Sequence, residues 1–124
     1  MTMDNGHQKE NILQEKSYGF ALRVVRAYKH LTVEQKEYVL SKQALRSGTS
    51  VGANITEATQ AQSKQDFIHK LAIALKEAVE TEYWFRLLRD GDFLTVPQAE
   101  SLIIDCKELQ RILTSSIKTA KAKK

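Results

Sequence analysis

The chain has 124 residues, 42% of them hydrophobic and 27% charged, with a net charge of +4 at pH 7, which is the size and composition of one globular domain. One proline and five glycines are too few for an all-β chain, and a single cysteine, Cys106, excludes an internal disulfide. No apolar run approaches the roughly 18 residues of a membrane-spanning helix, and the polar start lacks the hydrophobic core of a signal peptide. We therefore expect a cytoplasmic protein that contacts no membrane. Cys106 is expected to be a small buried residue.

The first predicted helix covers residues 11–31, where apolar residues recur three and four positions apart from Ile12 to Leu31. Thr32 and Gln35 follow with the spacing of a capping box, in which both side chains satisfy free amides at a helix start. This pattern predicts that a second helix begins at Val33 and covers residues 33–61.

The stretch SGTSVGANIT, residues 47–56, places loop-forming residues inside this second helix. A phosphate-binding loop is excluded, because the glycines are four apart and the required lysine is missing. An apolar stripe instead passes through the stretch, at Leu40, Ala44, Gly48, Val51, Ile55 and Ala58. Burying that stripe offsets the roughly 0.5–1 kcal/mol that each mid-helix glycine costs. We therefore predict helix throughout, with Gly48 and Gly52 either packing closely against another helix or forming a notch for Trp84 or Tyr83.

Asn54 lies beside the same stripe and has two interpretations. If it is buried, it must be hydrogen-bonded, and it would then fix the helix register or a contact between subunits. Alternatively, it is a partly exposed polar residue of the helix surface.

The third and fourth predicted helices cover residues 64–90 and 96–120. Ser63 with Asp66, and Thr95 with Gln98, repeat the capping spacing at their starts. Gly91 is predicted to end the third helix in the left-handed conformation. Residues 118–124 are rich in lysine and are expected to form a basic tail. Four amphipathic helices with short connections predict an all-α, antiparallel, up-down-up-down four-helix bundle in a single domain of residues 1–124.

No pattern in the sequence indicates catalysis. A di-iron bundle needs two Glu-x-x-His pairs, and only Asp66 with His69 resembles one. The other histidines, His7 and His30, occupy unrelated places and give no catalytic motif. We expect no metal, no cofactor and no enzymatic activity.

Cations spaced three or four residues apart could form helical faces that meet phosphates of RNA or DNA. The hypothesised nucleic-acid-binding residues are Arg23, Arg26, Lys29, Lys42, Arg46, Arg111, Lys118 and Lys121, with Lys123 and Lys124 beyond them. The alternative is that these cations pair with Glu57, Glu77 or Glu80 or are merely solvated. In that case the protein would be a structural or protein-interaction scaffold.

The segment from Ser41 to Leu88 resembles the 23S rRNA intervening-sequence proteins, a family of four-helix bundles. In that family the second helix carries a pattern like Q-x-R-R-A-x-x-S-I-x-x-N-I-x-E-G, followed by S-x-x-[DE]-F-x-x-x-L-x-I-A. The matching residues here are Gln43, Leu45, Arg46, Ser50, Val51, Asn54, Ile55 and Glu57, then Ser63, Asp66, Phe67, Leu71, Ile73 and Ala74. The opening EKSYGFALRVVRAYKHL is similar to the family's first helix, so the resemblance covers residues 11–115. Gly48, Gly52 and Ala58 depart from the pattern, and these departures affect close packing more than fold.

The resemblance implies a ring-like homo-oligomer, a pentamer. It also implies a distant relation to the accessory protein of diversity-generating retroelements, which is thought to bind nucleic acid and a reverse transcriptase. The resemblance predicts the fold much more specifically than it predicts the biochemical activity. We therefore expect a homo-oligomer that binds RNA or DNA, or one that binds another protein.

Overall fold

The computed structural model describes residues 5–123, with side chains from residue 11 onward. It contains four helices, α1 (Asn5–Val33), α2 (Leu40–Ala58), α3 (Lys64–Asp90) and α4 (Val96–Ala122). The described residues contain no strand, which confirms the all-α prediction. None of these helices combines the length and hydrophobicity that crossing a membrane requires.

The four helices form the predicted antiparallel bundle. Helix α1 packs against α2 and α4, and α3 packs against the same two helices, so α1 and α3 occupy diagonal corners and their backbones do not approach each other. Their inward faces supply one continuous apolar core. Its fully or nearly fully buried members include Leu13, Phe20, Val24, Leu31, Val51, Ile55, Leu71, Phe85, Leu88, Cys106, Leu109 and Leu113. The core confirms Cys106 as a small buried residue.

Helix α2 runs without a break through residues 47–56, as predicted. Five positions of the predicted stripe are buried, namely Ala44, Gly48, Val51, Ile55 and Ala58. The hydroxyl groups in the stretch turn back to their own helix: Thr49 Oγ1 donates to the Leu45 carbonyl at 2.7 Å and Ser50 Oγ donates to the Arg46 carbonyl at 2.7 Å. Packing thus overrides the loop-forming tendency of these residues.

Both glycines of α2 face α1 of the same chain. A methyl group at Gly48 would lie 2.8 Å from Cγ2 and 2.9 Å from Cγ1 of Val24, and one at Gly52 would lie 3.4 Å from the Ser17 carbonyl oxygen. The neighbours of the glycines are therefore Val24 and Ser17, and no aromatic notch for Trp84 or Tyr83 forms there. The absence of side chains lets the α1 and α2 backbones approach closely.

The predicted start of the second helix at Val33 is wrong. Helix α1 continues to Val33, and Thr32 Oγ1 donates to the Tyr28 carbonyl of that helix at 2.9 Å, so Thr32 does not cap a new one. Helix α2 begins at Leu40, after a loop in which Lys36 has a φ of 55°. The Glu37 carboxylate accepts hydrogen bonds from the amides of Val39 and Leu40, both at 3.0 Å, and of Ser41 at 2.6 Å.

The other capping predictions are largely confirmed. Ser63 accepts a hydrogen bond from the Asp66 amide at the start of α3, and Thr95 with Gln98 forms a complete capping box at the start of α4. Gly91 does not adopt the left-handed conformation, since its φ is −85°. In the turn between α3 and α4, the residue in the left-handed region is instead Asp92, with a φ of 67°. The lysine-rich end is helical up to Ala122, and Lys124 lies outside the described residues.

Candidate nucleic-acid interface

Arg23 is held by α4. Its Nη1 donates to Asp105 Oδ2 at 2.6 Å and to the Ser101 carbonyl at 3.2 Å, and its Nη2 donates to Ser101 Oγ at 2.8 Å. Arg23 is therefore neutralised within the chain and ties α1 to α4. Lys16 and Glu108 make a second ion pair, of 3.2 Å, between these two helices.

Arg46 is neutralised in the same way by α3. Its Nη1 lies 3.2 Å from Glu77 Oε2, and its Nη2 donates to Glu80 Oε2. The indole Nε1 of Trp84 donates to that same Glu80 oxygen at 2.8 Å. Arg46 is thus part of a polar network that joins α2 to α3, the pairing with acids that the alternative interpretation predicts.

Trp84 and Asn54 lie away from the glycine contacts. Trp84 is partly buried against the core and stacks edge-on with Tyr83, with ring centroids 5.2 Å apart. Asn54 is half-buried, and its Nδ2 donates to the Ser50 carbonyl of its own helix at 2.9 Å. Within one chain, Asn54 therefore fixes no register between helices.

Arg26, Lys29 and Lys42 are exposed near the end of the bundle that carries the α1–α2 loop. Arg26 borders a cleft between α1 and α4 that also contains Arg23 and His30. No side-chain hydrogen bond or ion pair joins Arg26, Lys29 or Lys42 to the residues that the structure describes. These three cations are available to an outside partner, but they do not share one groove.

A larger basic surface lies between α3 and α4, and we call it the α3/α4 groove. It is an open groove of about 870 Å³, lined by Leu75, Val79, Glu82, Lys107, Gln110, Arg111, Thr114, Ser115 and Lys118. Lys107, Arg111 and Lys118 are four and seven residues apart, a spacing that puts them on one face of α4. All three are exposed and have no ion-pair partner among the described residues.

Glu82 is the acidic residue of the groove lining. Its Oε1 accepts a hydrogen bond from Gln110 Nε2 at 2.9 Å, and the lining places no other carboxylate next to the three cations. The groove therefore offers a row of positive charge beside an apolar strip formed by Leu75 and Val79.

The structure brings together only part of the hypothesised binding set. Arg111 and Lys118 share the groove, and Lys121 is exposed one turn further along α4. Lys107 also lines the groove but is not a member of the hypothesised set, although its position four residues before Arg111 is a signal for it. The groove itself could not be found in this way, because it depends on which face of α3 lies beside α4.

Comparison with known proteins gives a family match and a similar solved structure. Residues 9–115 match the family described as 23S rRNA-intervening sequence protein. The chain belongs to that family. A solved structure from Bacteroides thetaiotaomicron VPI-5482, described as a protein of unknown function from the S23 ribosomal protein family, is 57% identical and superposes with a TM-score of 0.88. The similarity covers 89% of this chain and 98% of that one. No functionally curated protein matches.

Membership of the 23S rRNA-intervening sequence family confirms the resemblance carried by residues 41–88. The family description names no enzymatic activity. Among residues 5–123, no group of three or more His, Cys, Asp or Glu side chains is arranged to hold a metal ion. The feature of the described residues that points to a function is the row of cations in the α3/α4 groove.

Proposed function

We propose that this protein is a non-enzymatic, cytoplasmic homo-oligomer that binds RNA or DNA through the α3/α4 groove. The observation that supports this proposal is the contrast between two classes of cation. Arg23 and Arg46 are neutralised by acids of neighbouring helices, whereas Lys107, Arg111 and Lys118 line one groove without an ion-pair partner.

The spacing of these cations suits a polyanion. At 1.5 Å of rise per residue, the row from Lys107 to Lys118 extends about 16 Å along α4. Nucleic acids carry one phosphate per roughly 3.4 Å of each duplex strand, so a row of this length faces several phosphates at once. In a homo-oligomer the groove would be repeated in every subunit, which multiplies the attractive field.

The binding experiment uses two variants with equal loss of charge. The groove variant carries Lys107→Gln and Arg111→Gln. The control variant carries Lys36→Gln and Arg86→Gln, which remove two exposed cations that belong neither to the hypothesised binding set nor to the groove lining. Binding of fluorescently labelled single-stranded RNA, single-stranded DNA and duplex DNA is followed by anisotropy at several salt concentrations.

We expect wild-type affinity to fall steeply as salt rises, because binding releases condensed counterions. The groove variant should bind at least about 10-fold more weakly at low salt, with a salt slope smaller by about 1.4–1.8, since two phosphate contacts are lost. The control variant should bind within about twofold of wild type, because scattered surface charges contribute little. Absence of binding at low salt, or equal losses in both variants, would overturn the proposal.

A second candidate function, a protein-interaction scaffold, is favoured by a different observation. The outer face of α3 exposes Val79, Tyr83 and Leu87 with 54%, 52% and 36% of their surface accessible. Apolar residues grouped on one exposed face are a common feature of protein contacts. An oligomer that binds no nucleic acid at low salt but keeps its assembly would favour this function over the first.

A further inference from the structure

The outer face of α1 also exposes apolar residues. Tyr18 is 69% accessible and Leu22 is 38% accessible. Glu15 and Lys29 are exposed on the same face, before and after this pair. We call Glu15, Tyr18, Leu22 and Lys29 the α1 face.

The outer face of α3 repeats this arrangement with opposite charges. Lys76, Val79, Tyr83 and Asp90, which we call the α3 face, are all exposed. In both faces the intervals between successive members are three, four and seven residues. Aligned in the same direction, Glu15 meets Lys76, Tyr18 meets Val79, Leu22 meets Tyr83 and Lys29 meets Asp90. Apolar residues therefore meet apolar residues. Glu15 and Lys76 join opposite charges, and Lys29 would approach the ion pair that Asp90 makes with Arg89 of its own chain at 2.8 Å.

The bundle holds the two faces at the same height. Gly48 of α2 packs against Val24, and Thr81 Oγ1 donates to Oγ of the neighbouring Ser47 at 2.8 Å, so Val24 lies close in height to Thr81. Through α4, Lys16 pairs with Glu108, and Cys106 Sγ donates to the Ala78 carbonyl at 3.0 Å. Both routes put the α1 face level with the α3 face to within about one helical turn.

The two faces cannot meet within one chain, because α1 and α3 occupy diagonal corners of the bundle. They can meet between copies. A rotation about an axis along the bundle preserves helix direction, so α1 of one copy would run parallel to α3 of the next. The two surfaces differ, so such a contact is heterologous and repeats from subunit to subunit.

We propose that the α1 face of one subunit docks on the α3 face of a second copy, in parallel and with Leu22 against Tyr83. This inference rests on the proposed homo-oligomer and names its contact. It also gives Arg26, which is exposed one turn after Leu22 on α1, a place beside the partner subunit. Val79 belongs both to the α3 face and to the groove lining, so the docked α1 would border the α3/α4 groove, whose cations Lys107, Arg111 and Lys118 lie on α4 outside the contact.

Disulfide trapping tests the contact. Three variants are compared under mild oxidation: Leu22→Cys, Tyr83→Cys and the chain carrying both changes. The native Cys106 does not compete, because it is fully buried. We expect a ladder of covalent oligomers from the double variant. Either single variant should give little or no covalent dimer, since a heterologous contact never brings two copies of the same residue together.

Charge exchange provides a second test that leaves the apolar contact intact. Glu15→Lys and Lys76→Glu should each weaken subunit association by about threefold, because each puts like charges together at the edge of the contact. The double exchange should restore association to the wild-type level. An additive loss in the double variant would overturn the pairing of these two residues.

Light scattering on the wild-type protein tests the homo-oligomer independently of the specific contact between the α1 and α3 faces. A monomer would overturn both the homo-oligomer and this contact. An oligomer whose double cysteine variant forms no ladder, or whose single variants dimerise as readily as the double, would overturn the contact alone. In that second case the exposed α1 and α3 faces would have another occupant, such as a different protein.

Discussion

Gly48 and Gly52 are four residues apart on the same helix, yet their surroundings differ. At Gly48 a methyl group would approach both γ carbons of Val24 to less than 3.0 Å, and the β-branched side chain of Val24 has little freedom to move away. At Gly52 the nearest atom is at 3.4 Å, an ordinary contact distance. Alanine is favoured over glycine by about 0.5–1 kcal/mol inside a helix. The space around each glycine therefore decides whether alanine at that position stabilises or destabilises the protein.

We expect Gly48→Ala to lower the free energy of unfolding by about 1–2 kcal/mol, because overpacking exceeds the gain in helix propensity. Gly52→Ala serves as the matched control and should leave stability unchanged or raise it by up to about 1 kcal/mol. Urea unfolding at one fixed protein concentration measures both, since association contributes to apparent stability. Equal effects of the two changes would contradict the assignment of Gly48 as the tighter contact.

Cys106 is fully buried, and its thiol donates to the Ala78 carbonyl at 3.0 Å. Burial raises the pKa of the Cys106 thiol to about 12, so almost no thiolate is present at neutral pH. We expect an aromatic disulfide reagent to react at least about 10³-fold more slowly with the native protein than with the protein unfolded in urea. Rapid stoichiometric reaction of the native protein would show that the α3–α4 packing opens readily.

The start of α2 is capped by Glu37, which lies two residues before the N-cap residue Val39. Partial burial opposes ionisation of Glu37, but the amides of Leu40, Ser41 and Val39 together outweigh it, and the pKa of Glu37 lies below its ordinary value of 4.5. The unfolded chain therefore takes up a proton first as pH falls. The stabilisation that the Glu37 carboxylate gives the folded protein is complete above pH 4.5. It is lost as the pH falls through the lower pKa that Glu37 has in the folded state.

We expect Glu37→Gln to lower the free energy of unfolding by about 1–2 kcal/mol at pH 7, since the carboxylate is replaced by a weaker acceptor. The difference from wild type should shrink as pH is lowered below 4.5. Glu34→Gln, at an exposed position of the same loop, is the control and should cost less than about 0.5 kcal/mol at either pH. Chemical unfolding at pH 7 and pH 3.5 measures these values, and a pH-independent effect of Glu37→Gln would contradict the role of its charge.

Elements of this fold could be predicted where the signal is local. The caps at Ser63 and Thr95 each depend on residues three positions apart, and their geometry follows from sequence alone. Thr32 with Gln35 has the same spacing, but Thr32 lies in the last turn of α1, and its Oγ1 donates to the Tyr28 carbonyl of that helix, so it caps no new one. Glu37 caps α2 through amides two to four residues away, but a glutamate before the N-cap residue is not part of the capping-box pattern.

At the scale of the whole molecule, periodic apolar stripes were enough to predict the bundle, because burying four such stripes leaves few arrangements. The candidate interface could be predicted only in part. Arg23 and Arg46 look like free cations in the sequence, but their partners Asp105 and Glu77 belong to helices far away in the chain. Which cations remain unpaired is decided by the contacts between helices.

We propose that single bundles assemble and thereby repeat the basic α3/α4 groove. Static light scattering after gel filtration tests it most directly, at micromolar concentrations and in low and high salt. For the pentamer that the family resemblance implies, the mass should be five times the 14.1 kDa of one chain. It should change little with salt, because the contact has an apolar centre and only flanking charges. A mass of 14.1 kDa under all these conditions would contradict the claim.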